Sequence, residues 1–472
     1  MSRLAVIGAG WAGLSAALCL KKRGHAVHVY EAARTPGGRA RRVASSPLSC
    51  DLDNGQHILL GAYTATLQQM QALGLNPETL FHRERLALMS ADGTFCLRAG
   101  HLPAPLHLLA GMLRMHGLRW SERLGLIRVL SRLQRQRWRT TPGLTVGKWL
   151  VQERQNSRVI RMFWQPLCLA ALNTPLEEAC AQLFANVLRD SVGGSARHCD
   201  ILIPTVDLSR IWPERAIAML QDETWPSTQS AAPHPHGLEA SHLPDRTAVC
   251  LGQAVRTLQS RPDRVLVNGQ PYDGAILATN TPSAHRLLAQ LAPAPGSSQF
   301  LTALSAFEFI PIATLTLRLE RPWGQPHAMQ MLWDDPGRLQ FGQWLFDRSA
   351  LLPQPASPTE GPAHAQASHL IHVVISDAGN MAASNADQLT AAIITQLQEQ
   401  AGRHKPMPAV TGHHLIVEKR ATFKAAPGMW RPGNQTPWPS IWVAGDWTDT
   451  GYPGVLEGAV RSGQRAAALA AG

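Results

Sequence analysis

The sequence predicts an α/β fold. It predicts a Rossmann-like dinucleotide-binding unit at the N-terminus, a second strand-and-helix unit at the far end, and α+β content between them. Three observations carry this. The first 40 residues read strand, glycine turn, helix, strand. The segment from Ile441 onward reads strand, Gly-Asp, loop, helix. Between them lie a long helical stretch, residues 103–188, and isolated apolar runs at 307–319 and 369–376, which read as strands of a second sheet.

The N-terminal unit is the most informative. Leu4-Ala5-Val6-Ile7 is an apolar run of the buried parallel-strand type. Gly8 lets the chain turn sharply, Gly10 lets a pyrophosphate approach the backbone, and Gly13 lets the following helix pack close to the strand. That helix, residues 14–23, offers its free N–H groups to the phosphates. A second strand, residues 26–30, leads into Glu31, 18 residues beyond Gly13, where a carboxylate can accept ribose hydroxyl hydrogens. Next, Arg34-Thr35-Pro36-Gly37-Gly38-Arg39 supplies two more glycines and two guanidiniums suited to phosphate or carboxylate oxygens.

Residues 50–63 place Asp53, Gln56 and His57 in an apolar context. They either line a cofactor ring and position or protonate a substrate, or satisfy a buried loop. Residues 103–139 read as helix with a break near Gly117, and residues 114–139 carry eight arginines against one acid, Glu122. Arg128, Arg132, Arg135 and Arg139 share a helical stripe, with Leu126, Leu130 and Leu133 opposite. Such a helix either lies on anionic lipid or is a domain helix with a solvated basic face. Residues 145–188 read as further helix, apolar and aromatic-rich. Residues 222–245, rich in Pro, Ser and His, read as a surface insertion, and His234 and His236 there make no metal site.

Residues 247–266 resume as strands with a turn at Arg261-Pro262-Asp263, residues 274–280 form another buried strand, and a helix follows from Pro282. Residues 351–368 read as loop and 388–399 as helix, and residues 413–418 begin the return to the first domain. Ile441-Trp442-Val443-Ala444-Gly445-Asp446 is the closing strand, and Gly454-Val455 opens the final helix. The start of that helix can present N–H groups to the electron-rich edge of a flavin.

Lys+Arg (44) exceeds Asp+Glu (33), a net charge of +11 that suits an anionic partner. No nucleic-acid module and no zinc spacing is present, so a membrane surface is the expected partner. Seven scattered cysteines without a CxxC pair point to reduced thiols in the cytoplasm. No run of 18 apolar residues predicts a spanning helix, and the N-terminus does not read as a signal peptide.

Together these pieces resemble the FAD-dependent amine oxidase and carotenoid desaturase superfamily. The resemblance implies an FAD-binding domain of amine-oxidase type from residues 1–80, 205–290 and 411–472. Residues 81–204 and 291–410 would form the substrate and membrane-facing domain. It also implies that Gly8, Gly10, Gly13, Glu31, Gly38, Arg39, Gly55, Gly445, Asp446, Gly454 and Val455 contact FAD, with Val255 meeting the adenine through its backbone. The segment Gly55-Gln56-His57 would pass the isoalloxazine. Asn54-Gly55-Gln56-His57, the phrase Trp164-Gln165-Pro166-Leu167-Cys168-Leu169-Ala170-Ala171-Leu172-Asn173, Glu418-Lys419-Arg420-Ala421-Thr422-Phe423 and Gly445-Asp446-Trp447-Thr448 look like the squalene-associated FAD-dependent desaturases, a family understood as hydroxysqualene dehydroxylases.

That resemblance implies squalene and hopanoid biosynthesis and a long apolar isoprenoid substrate. An acid would help the hydroxyl leave, and reduced FAD would give hydride to the allylic cation. His57, with Gln56, is the candidate for the acid or for an orienting hydrogen bond. A cytoplasmic protein held peripherally at the inner face of the cytoplasmic membrane, associated with the enzymes that make its substrate, would fit. A polyene desaturase, an amine oxidase and a non-catalytic lipid-binding flavoprotein stay open as alternatives.

Overall fold

A computed structural model describes residues 2–225, 246–351, 369–381, 385–403 and 405–472. The strand at Arg3–Ile7 lies at the centre of a five-stranded parallel sheet. Its order is Ala248–Leu251, Ala26–Glu31, Arg3–Ile7, Gly274–Leu277, Ile441–Val443. Val6 and Val29 are fully buried, as expected for a sheet covered on both faces. The first helix, Trp11–Lys22, and the last, Leu456–Ala470, pack against each other on one face. Gly463 makes this possible, because a Cβ there would stand 2.1 Å from the Ala12 carbonyl oxygen. The two ends of the chain thus share one apolar layer, with Leu14, Leu18, Val460 and Ala467 in contact within it.

A second, antiparallel sheet has the order Met329–Met331, Trp344–Asp347, Leu370–Ile375, Phe309–Leu319, Val410–Phe423. Strand alternation sorts its residues into two faces. Leu315, Leu317, Leu345 and Val373 pack on the Ala386–Gln400 helix through Leu389, Ile393 and Leu397. The opposite face carries Thr314, Val374, Trp344 and Met331 in one register row. That face turns toward the cofactor domain and the helical layer. The strand Val410–Phe423 corrects the domain limits expected from sequence. Residues 413–418 do not begin the return to the first domain; paired with Phe309–Leu319, they close the edge of the second sheet.

The helical layer is entered and left at one place. Phe81–Glu84 leads in and Ile201–Pro204 leads out, paired antiparallel. Inside it, Leu106–Arg114 and Trp120–Arg135 are separated at Gly117, whose φ of 93° and proximity to the Thr94 carbonyl admit no side chain. The basic helix ends at Arg135, so Arg139 leaves the stripe that Arg128, Arg132 and Arg135 form. Residues 145–188 are not one helix. They form Val146–Gln152, a short turn at Ser157–Val159, a widened π-turn at Ile160–Trp164, Gln165–Leu172 and Ala181–Ser191. Arg154 in a left-handed conformation and the Asn156 cap break the first helix. Pro166 lacks the N–H that a regular α-turn would use there. Asn173, left-handed at φ 49°, ends Gln165–Leu172.

Residues 226–245, including His234 and His236, and residues 352–368 lie outside the described residues. No helix among the described residues is long and apolar enough to cross a membrane.

Candidate functional site

The carboxyl ends of the parallel strands converge, the place where open α/β sheets bind ligands. Gly8, at φ 111°, has no room for a side chain, since a Cβ would stand 2.5 Å from the Ala278 carbonyl oxygen. A Cβ on Gly13 would lie 1.9 Å from the Gly8 carbonyl. Gly10 is different: the nearest atom to its ideal Cβ is the Gly38 Cα at 3.8 Å. The two glycine turns therefore face each other, tied by the Gly37 N–H donating to the Ala9 carbonyl at 2.8 Å. A pyrophosphate fits against two stretches of bare backbone at the start of the Trp11–Lys22 helix. Glu31 ends its strand beside this turn and accepts the Ala9 and Ala33 N–H groups at 2.7 and 2.9 Å. Val255 is buried in the loop after Ala248–Leu251, and its carbonyl accepts from Arg286 at 3.1 Å.

Arg39 joins the two ends of the chain. Its guanidinium donates to Asp446 Oδ1 at 2.7 Å and to the Ala421 carbonyl at 2.6 Å. Burial opposes its charge, but Asp446 and Glu418 outweigh that and hold it protonated. Gly454 lies against Asp446 and Thr422, where a Cβ would meet their atoms at 3.3 and 3.1 Å. Val455 caps the Leu456–Ala470 helix, whose first N–H groups thus open beside Asp446. Gly445 donates its N–H to Ser462 Oγ at 3.0 Å, and a Cβ there would strike the Trp447 ring.

Gly55, Gln56 and His57 sit under the second sheet. The Gln56 N–H reaches Thr314 Oγ1 at 3.4 Å, and the Gln56 amide donates to the His57 carbonyl at 3.0 Å. His57 Nδ1 lies 2.7 Å from the Gly55 carbonyl, so this nitrogen carries the proton. Burial, with Arg39 nearby, pushes the ring below the usual histidine range. A neutral ring with its one N–H spent on backbone presents Nε2 as an acceptor. This geometry suits an orienting hydrogen bond better than proton donation.

Asp53 does not join this group. It ties the Cys50–Asp53 strand to Leu208, accepting its N–H at 2.8 Å, and burial lifts its carboxyl to about 7. A carboxyl lifted on folding holds its proton more tightly in the folded chain than in the unfolded one. The stability it contributes is complete below about pH 4 and is lost as pH rises through about 7, a few kcal/mol at most. Asp53→Asn keeps an acceptor for Leu208 and cannot ionise. It should flatten the fall in Tm that the wild type shows between about pH 5 and 8; parallel Tm curves for the two proteins would contradict this.

Three further residues support the site: Arg431 and Glu457, which gave no signal in the sequence, and Asn173, which ends the family-like phrase that begins at Trp164. Arg431 donates to the Asp446, Trp447 and Tyr452 carbonyls at 2.7, 3.2 and 2.6 Å, contacts the Thr448 carbonyl, and lies 4.6 Å from the Phe423 ring centroid. Burial lowers its guanidinium to about 10. Glu457, wholly buried, accepts the Ala65 and Thr66 N–H groups at 3.0 and 2.9 Å and caps the Thr64–Ala72 helix. Asn173 donates to Thr422 Oγ1 at 3.0 Å and accepts the Asp377 N–H at 2.9 Å, tying the helical layer to the second sheet. Its neighbours Trp164 and Phe163 form an aromatic core with Trp149 and Phe184, so most of the family-like phrase around them is packing.

A parallel sheet with a double glycine turn, an acid at the end of the next strand and a helix start across from it is the architecture of a dinucleotide-binding fold. Residues 11–471 match the model of the flavin containing amine oxidoreductase family, and the chain belongs to that family. It is an FAD-dependent oxidoreductase fold, and FAD is its cofactor. Among curated relatives, the chain is 30% identical over 98% of its length to hydroxysqualene dehydroxylase of Rhodopseudomonas palustris, spanning 97% of that protein. It is 28% identical over 98% of its length to the enzyme of the same name from Sinorhizobium fredii, again 97% of that chain. The 15-cis-phytoene desaturase of Synechococcus elongatus is 23% identical over 98% of this chain and 94% of its own. Among solved structures, cyclohexylamine oxidase from Brevibacterium oxydans covers the whole chain, with 98% of its own covered, at a TM-score of 0.65 and 16% identity, which shows the shared fold.

Proposed function

We propose that the protein removes the hydroxyl of hydroxysqualene reductively to give squalene. The observation that carries this reading is similarity to hydroxysqualene dehydroxylases along the entire chain, at 30% and 28% identity, against 23% for a phytoene desaturase. Reduced FAD supplies the hydride. The chain's own residues bind an apolar allylic alcohol, exclude water and deliver a proton to the departing oxygen. His57 orients, through its free Nε2, whatever donor lies before it. The amine oxidase alternative would call for a polar amine subsite, and the face formed by Val374, Trp344 and Met331 is a poor one. A polyene desaturase is the second reading, favoured by the phytoene desaturase match. Squalene formed in proportion to flavin oxidised tests the first reading directly.

The substrate partitions into lipid, and the protein surface answers to that. Leu106 and Leu109 on one helix, and Trp120 and Leu124 on the next, are exposed; Trp120 is 62% and Leu124 57% accessible. Arg114, Arg119 and Arg128, on or next to the same two helices, are exposed, and Arg123 lies 4.7 Å from the Trp120 ring centroid. Apolar teeth within a cationic rim suit the inner, anionic face of the cytoplasmic membrane. Of the arginine stripe noted in the sequence, Arg128 belongs to this end of the helix, while Arg132 lies a turn further on and reaches Glu153 at 3.6 Å. Trp120→Ser with Leu124→Ser should lower partitioning onto anionic liposomes by roughly tenfold or more; Arg128, Arg132 and Arg135 changed together to Glu should do so in a salt-dependent manner. Unchanged co-sedimentation of both variants would contradict membrane docking at this face. A cytoplasmic, peripheral protein beside the enzymes that make its substrate completes the proposal.

A further inference from the structure

A cavity of about 540 Å³ lies between the helical layer and the second sheet, within the usual size of a small-molecule site. One wall is a single stripe, Ser157, Arg161, Gln165 and Leu169. A four-residue spacing drifts around a helix of roughly 3.6 residues per turn, and the wider π-turn at Ile160–Trp164 counters that drift, so the stripe stays on the cavity. Exposure falls along it: Ser157 and Arg161 are exposed, Gln165 is half-buried and Leu169 is buried. The facing wall grades the same way, from exposed Pro336 through half-buried Asp334 and Trp333 to buried Leu332 and Trp344. The charged groups thus belong to the mouth, and the inner end is apolar.

Both walls lead from the inner end toward the cofactor side. Leu169 stands one helical turn, about 6 Å, before Asn173. Asn173 meets Thr422 Oγ1 at 3.0 Å and the Ile310 carbonyl at 3.3 Å, and Thr422 lies against Gly454. On the sheet, Trp344 shares a register row with Val374 and Thr314, two inter-strand steps or ~10 Å away, and Thr314 meets the Gln56 N–H. Leu169 is buried yet belongs to none of the apolar clusters among the described residues; its side chain faces the cavity instead. The mouth adjoins the exposed apolar patch. Arg158, next to Ser157, donates to the Gly117 carbonyl at 3.0 and 2.8 Å, and Gly117 lies between the two helices that carry Leu106, Leu109, Trp120 and Leu124.

We infer that this cavity holds the far part of one isoprenoid arm while the hydroxyl-bearing carbon stands at the flavin, and that Leu169 sets how long an arm is accepted; this rests on the dehydroxylase reading above. A separation of about 6–10 Å from the cofactor side keeps the cavity out of the chemistry and suits the end of a chain fixed at its reacting carbon. Burying that end at an apolar wall adds affinity with each methylene. The patch beside the mouth gives the arm a path from lipid that crosses little water. Gln165, Pro166 and Leu169 are the part of the family-like phrase that lines this space rather than packing the aromatic core.

The test is anaerobic single turnover of dithionite-reduced holoenzyme in detergent with three alcohols: hydroxysqualene and its two analogues shortened by one isoprene unit, one at each end. The second-order rate of flavin reoxidation is read for each. Leu169→Trp fills the inner end of the cavity. It should slow hydroxysqualene and one analogue by about 30-fold or more, and leave the other analogue within about threefold of its wild-type rate. Leu169→Ala removes contacts with the arm without opening a core cluster. It should slow hydroxysqualene by about tenfold and spare the same analogue. A Leu169→Trp protein that slows all three alcohols alike, or none of them, overturns the assignment. Should Leu169→Trp not fold, the pattern in Leu169→Ala decides. Weaker binding to anionic liposomes with all three rates unchanged also overturns it, and gives the cavity to a lipid acyl chain. A wild type that forms no squalene at all refutes instead the reading on which the assignment rests.

Discussion

Gly13→Ala should yield a protein purified without its flavin. The added methyl would stand 1.9 Å from the Gly8 carbonyl oxygen and 3.0 Å from the Ala278 Cβ. Neither neighbour can retreat: Gly8 donates its N–H to Tyr30 at 2.7 Å, and Ala278 donates to Ile7 at 2.8 Å, both across the parallel sheet. The helix must move off the strand, and the N–H groups that would meet the phosphates move with it. Loss of affinity on the order of a hundredfold or more is expected, since ~3 kcal/mol of misplaced phosphate contacts corresponds to that factor. The ratio of absorbance near the flavin band to that of protein measures it. Gly10→Ala is the contrasting case, because its Cβ would meet nothing closer than 3.8 Å within the chain. It should fold normally and weaken FAD alone, through its approach to the ligand. Full flavin content in Gly13→Ala would contradict the placement of the cofactor.

Arg431→Leu should cost about 3–5 kcal/mol of stability and release flavin as well. One guanidinium holds the Asp446, Trp447, Thr448 and Tyr452 carbonyls, which belong to the loop between the last strand and the last helix. Leucine can fill the space over Phe423 but leaves those acceptors without a donor. Asp446, which receives Arg39, lies in that loop, so its loss of order reaches the junction between the ends of the chain. Arg431→Lys keeps the charge but cannot fork to several carbonyls, and should recover only part of the loss. Denaturant unfolding followed by tryptophan fluorescence gives the first number, and flavin release the second. A Leu variant within about 1 kcal/mol of wild type would show that the loop holds itself.

These two residues mark the limits of what the sequence makes legible. The Gly8–Gly13 turn and Glu31 are local: their spacing along 31 residues implies their geometry, and the sheet register agrees with it. Arg39 and Asp446 could be paired only through resemblance, since 407 positions separate them. Arg431 resembles any of the many arginines until its acceptors are brought around it by the fold. Helix content in residues 145–188 was legible from periodicity, but its interruptions were not, because Arg154, Pro166 and Asn173 act through backbone geometry. Residues 413–418 read as a return to the first domain because the next recognisable motif, Gly445-Asp446, belongs there. The pairing of Val410–Phe423 with Phe309–Leu319 is a long-range event that no local pattern records. Likewise, the exposed Trp120 and Leu124 are ordinary apolar residues of a helix in sequence, and only packing shows which face they occupy.

On the proposed function, this flavoprotein runs reductively on an allylic alcohol. The most direct test is anaerobic: the holoenzyme is reduced until its flavin bleaches, then mixed with hydroxysqualene in detergent while the visible spectrum and extracted lipid are followed together. Return of the oxidised flavin band with one squalene formed per flavin is the predicted result. A flavin that stays bleached with no squalene, while oxidised enzyme bleaches on a polyene precursor, would contradict it and establish the desaturase instead.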